Sequence, residues 1–326
     1  MKKVVAFLVL GCTLVLMSCG SSTPEAADGS EAAPQPPEKP RVALVMKSLA
    51  NEFFKTMEAS ARAYHDDHAE TFDLISNGIK NEEDVSGQIA LVEQMVAQGV
   101  NAIVIAPANS QALVPVLKRA VDRGIVVVNI DNKLDPEVLS AEQVSIPFIG
   151  PDNRSGAKLA GDHLAQSLEA GDPVAIIGGI PSAFNAIQRA QGFEDAMAEA
   201  GMKIAARQAG NWEMEKANQV ASGIINEHDG LRAMLCANDN MALGALAAVR
   251  EAGKRDEILV SGYDNIKAAR ELVQTGELDC TVEQHGDLLA VYGIEYALEI
   301  LESGEIPGDR ETPVELVTRA SLQTGE

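Results

Sequence analysis

Basic residues are scarce in this chain: 26 Lys and Arg stand against 48 Asp and Glu in 326 residues, a formal net charge of −22. Such a surface repels phosphate backbones, which argues against nucleic acid as a partner. Recognisable catalytic motifs are lacking too, with no H-E-x-x-H, G-x-S-x-G, Walker loop or G-x-G-x-x-G. The pair Gly178-Gly179 resembles a phosphate loop, but Pro181 follows and removes a donor such a loop would use. His65 and His68 share a helix face without an identifiable third ligand, so they read as a solvated helix end rather than a metal pair. No cofactor and no metal is expected. After residue 18 no apolar run is long enough to cross a bilayer.

What the chain does have begins with an address. Residues 1–18, MKKVVAFLVLGCTLVLMS, carry two lysines and then a short apolar run, the form of an export signal. Leu16-Met17-Ser18-Cys19 ends it in the bacterial lipoprotein pattern, which makes Cys19 the expected lipidated first residue. Residues 19–40 then form a tether, rich in Pro, Ser, Ala and Glu and without a large apolar side chain after Cys19. The expected location is the periplasm or cell surface, anchored to the membrane through the lipid alone. Of the other cysteines, Cys12 leaves with the signal, while Cys236 and Cys280 sit in apolar strand contexts and read as small core residues.

From Arg41 short β-branched runs alternate with helical patterns: RVALVM (41–46), FDLIS (72–76), NAIVIA (101–106) and IVVVNI (125–130), separated by helices over 52–68, 84–98 and 110–123. The pattern restarts with VAIIGG (174–179), MKIAARQ (202–208), RAMLCA (232–237), EILVSGY (257–263) and LDCTVEQ (278–284), with helices over 154–170, 188–200, 214–228, 239–253 and 265–275. A helix over 287–302 and a strand PVELVT (313–318) close the chain. Strands alternating with helices predict an α/β class protein with two doubly wound parallel-sheet lobes, the break falling near Ile149–Asn153.

Ligands of open parallel sheets bind beyond the carboxyl ends of the strands. Those ends carry Lys47, Asn51, Phe53 and Phe54, then Asp131, Asn132 and Lys133, and in the second half Asn238, Asp239, Asp264 and Gln284. Carboxylates, amides, an amine and rings suit a neutral polyhydroxylated ligand, whose hydroxyls donate to the acids and accept from amides and cations. Asp131 and Asp264 could also be paired as in a glycosidase. Their amide and cation neighbours should keep both ionised, which argues against that reading.

In order and spacing, SLANEFF (48–54), NIDN (129–132), RAQGF (189–193), GNWEMEK (210–216), CANDNMALGAL (236–246), SGYDN (261–265) and TVEQ (281–284) resemble the type I periplasmic binding proteins, in the ribose-binding branch. The resemblance covers nearly all of 41–320. It implies two lobes joined by a three-segment hinge, residues 41–150 plus 285–312 and residues 151–284 plus 313–326, closing on a monosaccharide for delivery to an importer permease. It assigns sugar contacts to Asn51, Phe54, Asp131, Arg189, Trp212, Asn238 and Asp264, with Gln284 beside a hinge. Phe53 and Trp212 would be the aromatic faces, and Asp239 with Asn240 would cap the helix after Asn238. Lys47, Asn132 and Pro151 depart from the family pattern of serine, arginine and serine, so a hexose, another pentose or a sugar alcohol stands beside ribose. Lys47 is then expected to supply the cation that Asn132 does not. The chain is expected to be a monomer and not an enzyme, a sensory lipoprotein being the alternative to an importer component.

Overall fold

A computed structural model describes residues 39–324. The signal 1–18, Cys19 and the tether as far as residue 38 lie outside the described residues. Pro40 already belongs to the body, its carbonyl accepting from the Asp73 N–H at 2.9 Å.

The first strand, β1 (Arg41–Ser48), turns Val42, Leu44 and Met46 to one apolar layer and Ala43 and Val45 to the other. Parallel strands with helices on both faces are buried twice over, which is why this stretch has no polar alternation. There follow α1 (Glu52–Asp67), β2 (Asp73–Ile79), α2 (Val85–Ala97), β3 (Ala102–Ile105), α3 (Val114–Val121), β4 (Val126–Ile130), α4 (Pro136–Ala141) and β5 (Phe148–Pro151). The second run comprises α5 (Asn153–Ala165), β6 (Pro173–Gly178), α6 (Phe184–Glu199), β7 (Lys203–Ala209), α7 (Met214–Glu227), β8 (Ala233–Cys236), α8 (Asp239–Glu251), β9 (Leu259–Ser261), α9 (Lys267–Thr275) and β10 (Cys280–Glu283). Then come α10 (Gly286–Ser303), β11 (Arg310–Thr312), β12 (Glu315–Thr318) and α11 (Arg319–Thr324).

Two six-stranded sheets result, ordered β11-β5-β4-β3-β1-β2 and β12-β10-β9-β8-β6-β7. Among the described residues every pairing is parallel except β10 with β12. The chain crosses between the lobes three times: from β5 to α5, from β10 to α10, and from β11 to β12. After the second crossing α10 packs on α1 and on β3 and β4. Strand order reverses between β1 and β3 in one sheet and between β6 and β8 in the other, the places where doubly wound sheets open a crevice.

Several elements differ from the sequence reading. The short strands β5 and β11 and the helix α4 were not anticipated; β5 ends in Gly150-Pro151 and β11 is polar, so neither carries a hydrophobic period. Strand β2 runs three residues further than FDLIS, and α3 starts only at Val114. Helix α6 begins at Phe184, earlier than the expected 188. The last strand pairs antiparallel.

Candidate functional site

The carboxyl ends of the two sheets face one another, and their loops line a narrow polar cleft. Lys47, at the end of β1, extends an ammonium into it, 2.9 Å from Asp131 Oδ2 and over the rings of Phe54 and Trp212 at 5.4 and 5.8 Å. Both members of this ion pair are buried, and beyond the Lys47 ammonium Asp131 Oδ2 has no partner among the described residues. From the other lobe Arg189, on α6, stacks on Tyr263 with its guanidinium carbon 3.6 Å from the ring centre. It donates to Asn153 Oδ1 (2.8 Å), the Ala237 carbonyl (2.8 Å), Asp264 Oδ1 (3.3 Å) and Gln284 Oε1 (3.2 Å). The cleft therefore has one cation–carboxylate pair on each wall.

The remaining expected residues divide into those that line the cleft and those that stand behind it. Phe53 and Phe54 line it and meet edge to face with centroids 5.2 Å apart. Phe53 also lies against the start of α10, where any side chain at Gly286 would collide with its ring. Trp212 lines the opposite wall and covers Gly179, whose missing side chain makes room for the indole. The glycine pair after β6 is thus a seat for Trp212. Asn51 caps α1 by accepting from the Phe53 N–H at 3.0 Å, and its amide donates to Glu82 at 3.3 Å.

Asn238 lines the cleft, but it is also the cap of α8: its Oδ1 accepts from Met241 N–H at 2.9 Å. This corrects the assignment of the capping role to Asp239 and Asn240. The Asp239 carboxylate instead accepts from Ile266 N–H (2.9 Å) and Thr281 Oγ1 (2.7 Å), pinning the loop that carries Asp264.

Asn132 is a further correction, because it does not reach the cleft. Its amide donates to the Pro107 carbonyl at 2.9 Å and its oxygen accepts from Ser110 Oγ (3.3 Å) and Asn185 N–H (3.2 Å), so both ends are occupied by protein. Gln284 likewise stands one layer back, holding Arg189 with its oxygen and donating to Asp264 Oδ1 at 2.6 Å. Two lining residues escaped the sequence reading, Glu82 and Asn185. Glu82 follows the end of β2 and was hidden because β2 is longer than its apolar run, whereas Asn185 lies in the first turn of α6.

Backbone strain concentrates here. Asp131, Trp212 and Asp264 have φ of 63°, 70° and 116°, left-handed values that cost non-glycine residues about 1–3 kcal/mol each and persist where packing over-determines them. The acids are strained electrostatically as well. Burial pushes Asp264 up to about 7 although Arg189 pulls it down, and the Asp131 charge adds to the rise. Burial also pushes Glu82 up to about 7, against the pull of Lys47 and of the Asn51 amide. The expectation that surrounding cations and amides would dominate fails for Asp264 because desolvation outweighs them.

For a carboxyl whose pKa is raised by folding, the folded state holds the proton longer than the unfolded chain does. These two groups therefore favour the folded state fully below about pH 4, the unfolded carboxyl range, and this contribution is lost as pH rises through about 7. Thermal melts of the unliganded protein should show Glu82→Gln flattening the decline in stability between pH 5 and 7.5. An identical slope in that variant and the wild type would contradict the raised value.

The lobes are closed on one another. Lys267 N–H donates to Glu52 Oε1 at 3.1 Å, Asn109 Nδ2 to Ser182 Oγ at 3.1 Å, and Asn211 bonds Glu83, each pair crossing the cleft. A two-lobed, three-hinged clamp around a buried polar cleft has the form of a solute binder. The family model described as the periplasmic binding protein domain matches residues 42–306. The chain belongs to the periplasmic binding protein family. Its fold is the type I fold of that family, and like its relatives the chain is a binding protein and not an enzyme.

Among relatives, the D-ribose/D-allose-binding protein of Pseudomonas aeruginosa is 54% identical over 323 residues, covering 98% of this chain and 99% of that protein. The D-allose-binding periplasmic protein of Escherichia coli is 32% identical, covering 84% of this chain and 89% of that one. Among solved structures, an ABC transporter solute binding protein from Burkholderia multivorans is similar at 53% identity and a TM-score of 0.85, over 86% of this chain and all of that one. A periplasmic solute binding protein from Actinobacillus succinogenes with bound D-allose is similar at 34% identity and a TM-score of 0.83, over 88% of this chain and all of the other.

Proposed function

We propose that this periplasmic binding protein is the sugar-binding lipoprotein of an ATP-driven importer, anchored through Cys19, which closes on a monosaccharide of the ribose or allose type and delivers it to the permease. The observation that carries the reading is the pairing of Lys47 with Asp131 and of Arg189 with Asp264 on facing walls, between the rings of Phe54 and Trp212. Fixed charges of both signs bridge vicinal hydroxyls, each of which donates once and accepts twice. The rings cover the apolar C–H faces of the sugar. Asn51, Phe53, Asn238, Glu82 and Asn185 complete the contact set, with Asn132 and Gln284 holding contact residues from behind. The names of the relatives from P. aeruginosa and E. coli, and the D-allose in the A. succinogenes structure, support this sugar class.

Calorimetric titration with D-ribose, D-allose and polyols tests the sugar, and palmitate labelling lost in Cys19→Ala tests the anchor. The single tryptophan offers a second readout, since Trp212 is buried on the cleft wall between two cations. Sugar should change its emission and saturate at the concentration found by calorimetry. An emission that stays constant while heat is released, with Trp212→Ala binding as tightly as wild type, would remove the indole from the contact set.

A further inference from the structure

Helix α6 begins without a cap of its own. Its N-cap position is Ala183, with the extended backbone of a cap (φ −87°, ψ 130°) but only a methyl group, which accepts nothing. The first N–H groups of any helix lack partners within it, and buried ones need partners from elsewhere. Here they come from the opposite lobe. Phe184 N–H donates to Ser110 Oγ at 3.0 Å, and Asn185 N–H donates to Asn132 Oδ1 at 3.2 Å. Ser110 Oγ donates in turn to Asn132 Oδ1 at 3.3 Å, and Asn132 is braced by the Pro107 carbonyl. Ser110, Asn132 and Asn185 are all buried.

Ser110 follows β3 and Asn132 follows β4, whereas α6 belongs to the second lobe, so these bonds exist only while the cleft is shut. The same helix brings Asn185 and Arg189 to the cleft, where Asn185 Oδ1 is buried without a partner among the described residues. We propose that Ser110 and Asn132 cap α6 across the cleft, so that lobe closure completes the helix and fixes Asn185 and Arg189 for the ligand. They are positioning residues that set affinity without touching the sugar. The choice of sugar as probe rests on the function proposed above; the cross-lobe cap itself rests on the hydrogen bonds.

Removing one cap changes an equilibrium by about fivefold. Ser110→Ala should therefore raise the Kd for D-allose by roughly three- to tenfold, through faster release, and should lower the melting point of the sugar-loaded protein more than that of the sugar-free protein. An unchanged Kd, or an equal loss of stability with and without sugar, would overturn the proposal. Ala183→Ser gives α6 a cap in its own lobe that serves open and closed forms alike, so alone it should leave Kd within about twofold. Added to Ser110→Ala it should not restore affinity. Full restoration would mean that α6 needs a cap of any origin, and the cross-lobe role would be wrong. Should wild type bind neither D-allose nor D-ribose, the sugar reading fails by itself, and small-angle scattering decides the cap: Ser110→Ala should enlarge the radius of gyration of the free chain, and an equal radius overturns it.

Discussion

Replacing Arg189 by methionine is expected to abolish sugar binding and to lower the melting point, more at pH 8 than at pH 6. The guanidinium is fully enclosed and holds four partners from four segments: Asn153, Ala237, Asp264 and Gln284. Methionine matches the stem and fills volume against Tyr263 but supplies no donor, so each of those acceptors loses a buried partner and Asp264 Oδ1 keeps only the Gln284 amide. Breaking a buried pair by removing one member costs about 3–5 kcal/mol, which as binding energy is at least a hundredfold. Asp264 can relieve part of the cost by taking up a proton, since burial already holds it near 7 with Arg189 present. Without the cation its value rises further, so the folded state is penalised increasingly as pH climbs, which gives the sign of the pH effect. Lysine should not rescue the site, because a point charge cannot serve four acceptors arranged around a planar fork. Melting curves at the two pH values, with calorimetry at each, check this; binding within tenfold of wild type would show that Arg189 is a strut and not a ligand group.

Asp131→Asn should have the second largest effect, a loss of affinity of roughly ten- to a hundredfold with the fold retained, the value of a hydrogen bond to a charged group. Asparagine tolerates the left-handed backbone that Asp131 adopts, so the substitution isolates charge from strain. What it removes is the counter-ion of Lys47, whose ammonium lies 2.9 Å away and is almost entirely buried. It also removes Oδ2 as a charged acceptor, an oxygen that among the described residues has no partner beyond the Lys47 ammonium. Calorimetry should show the loss as missing enthalpy; unchanged affinity would place the sugar away from the first-lobe wall.

Sequence pattern alone makes the two sheets legible wherever strands are buried on both faces. RVALVM, NAIVIA and VAIIGG are continuous apolar runs because helices cover both sides of them, and each became a central strand. The edge strand β11 escaped for the opposite reason. β11 has the sequence Arg-Glu-Thr and is recognisable only by its pairing with β5, a contact far away in the chain. At the site, Lys47, Asp131, Asn238 and Asp264 lie at a strand's carboxyl end or within three residues of it, so position alone singles them out. Glu82 was not singled out, since the polar end of β2 concealed where the strand stops. Asn132 failed differently: its place beside Asp131 is that of a contact residue, yet the backbone turns its amide beneath the loop to Pro107, Ser110 and Asn185. The start of α6 is not legible in the sequence because its N-cap position, Ala183, carries no capping side chain.

Diffraction from crystals grown with D-allose is the most direct measurement of all. The sugar should lie between Phe54 and Trp212 with hydroxyls bridging Lys47–Asp131 on one side and Arg189–Asp264 on the other, and Asn132 should make no contact with it. Sugar bound at any other place, or a closed and empty cleft from protein saturated with D-allose, would contradict the proposed site.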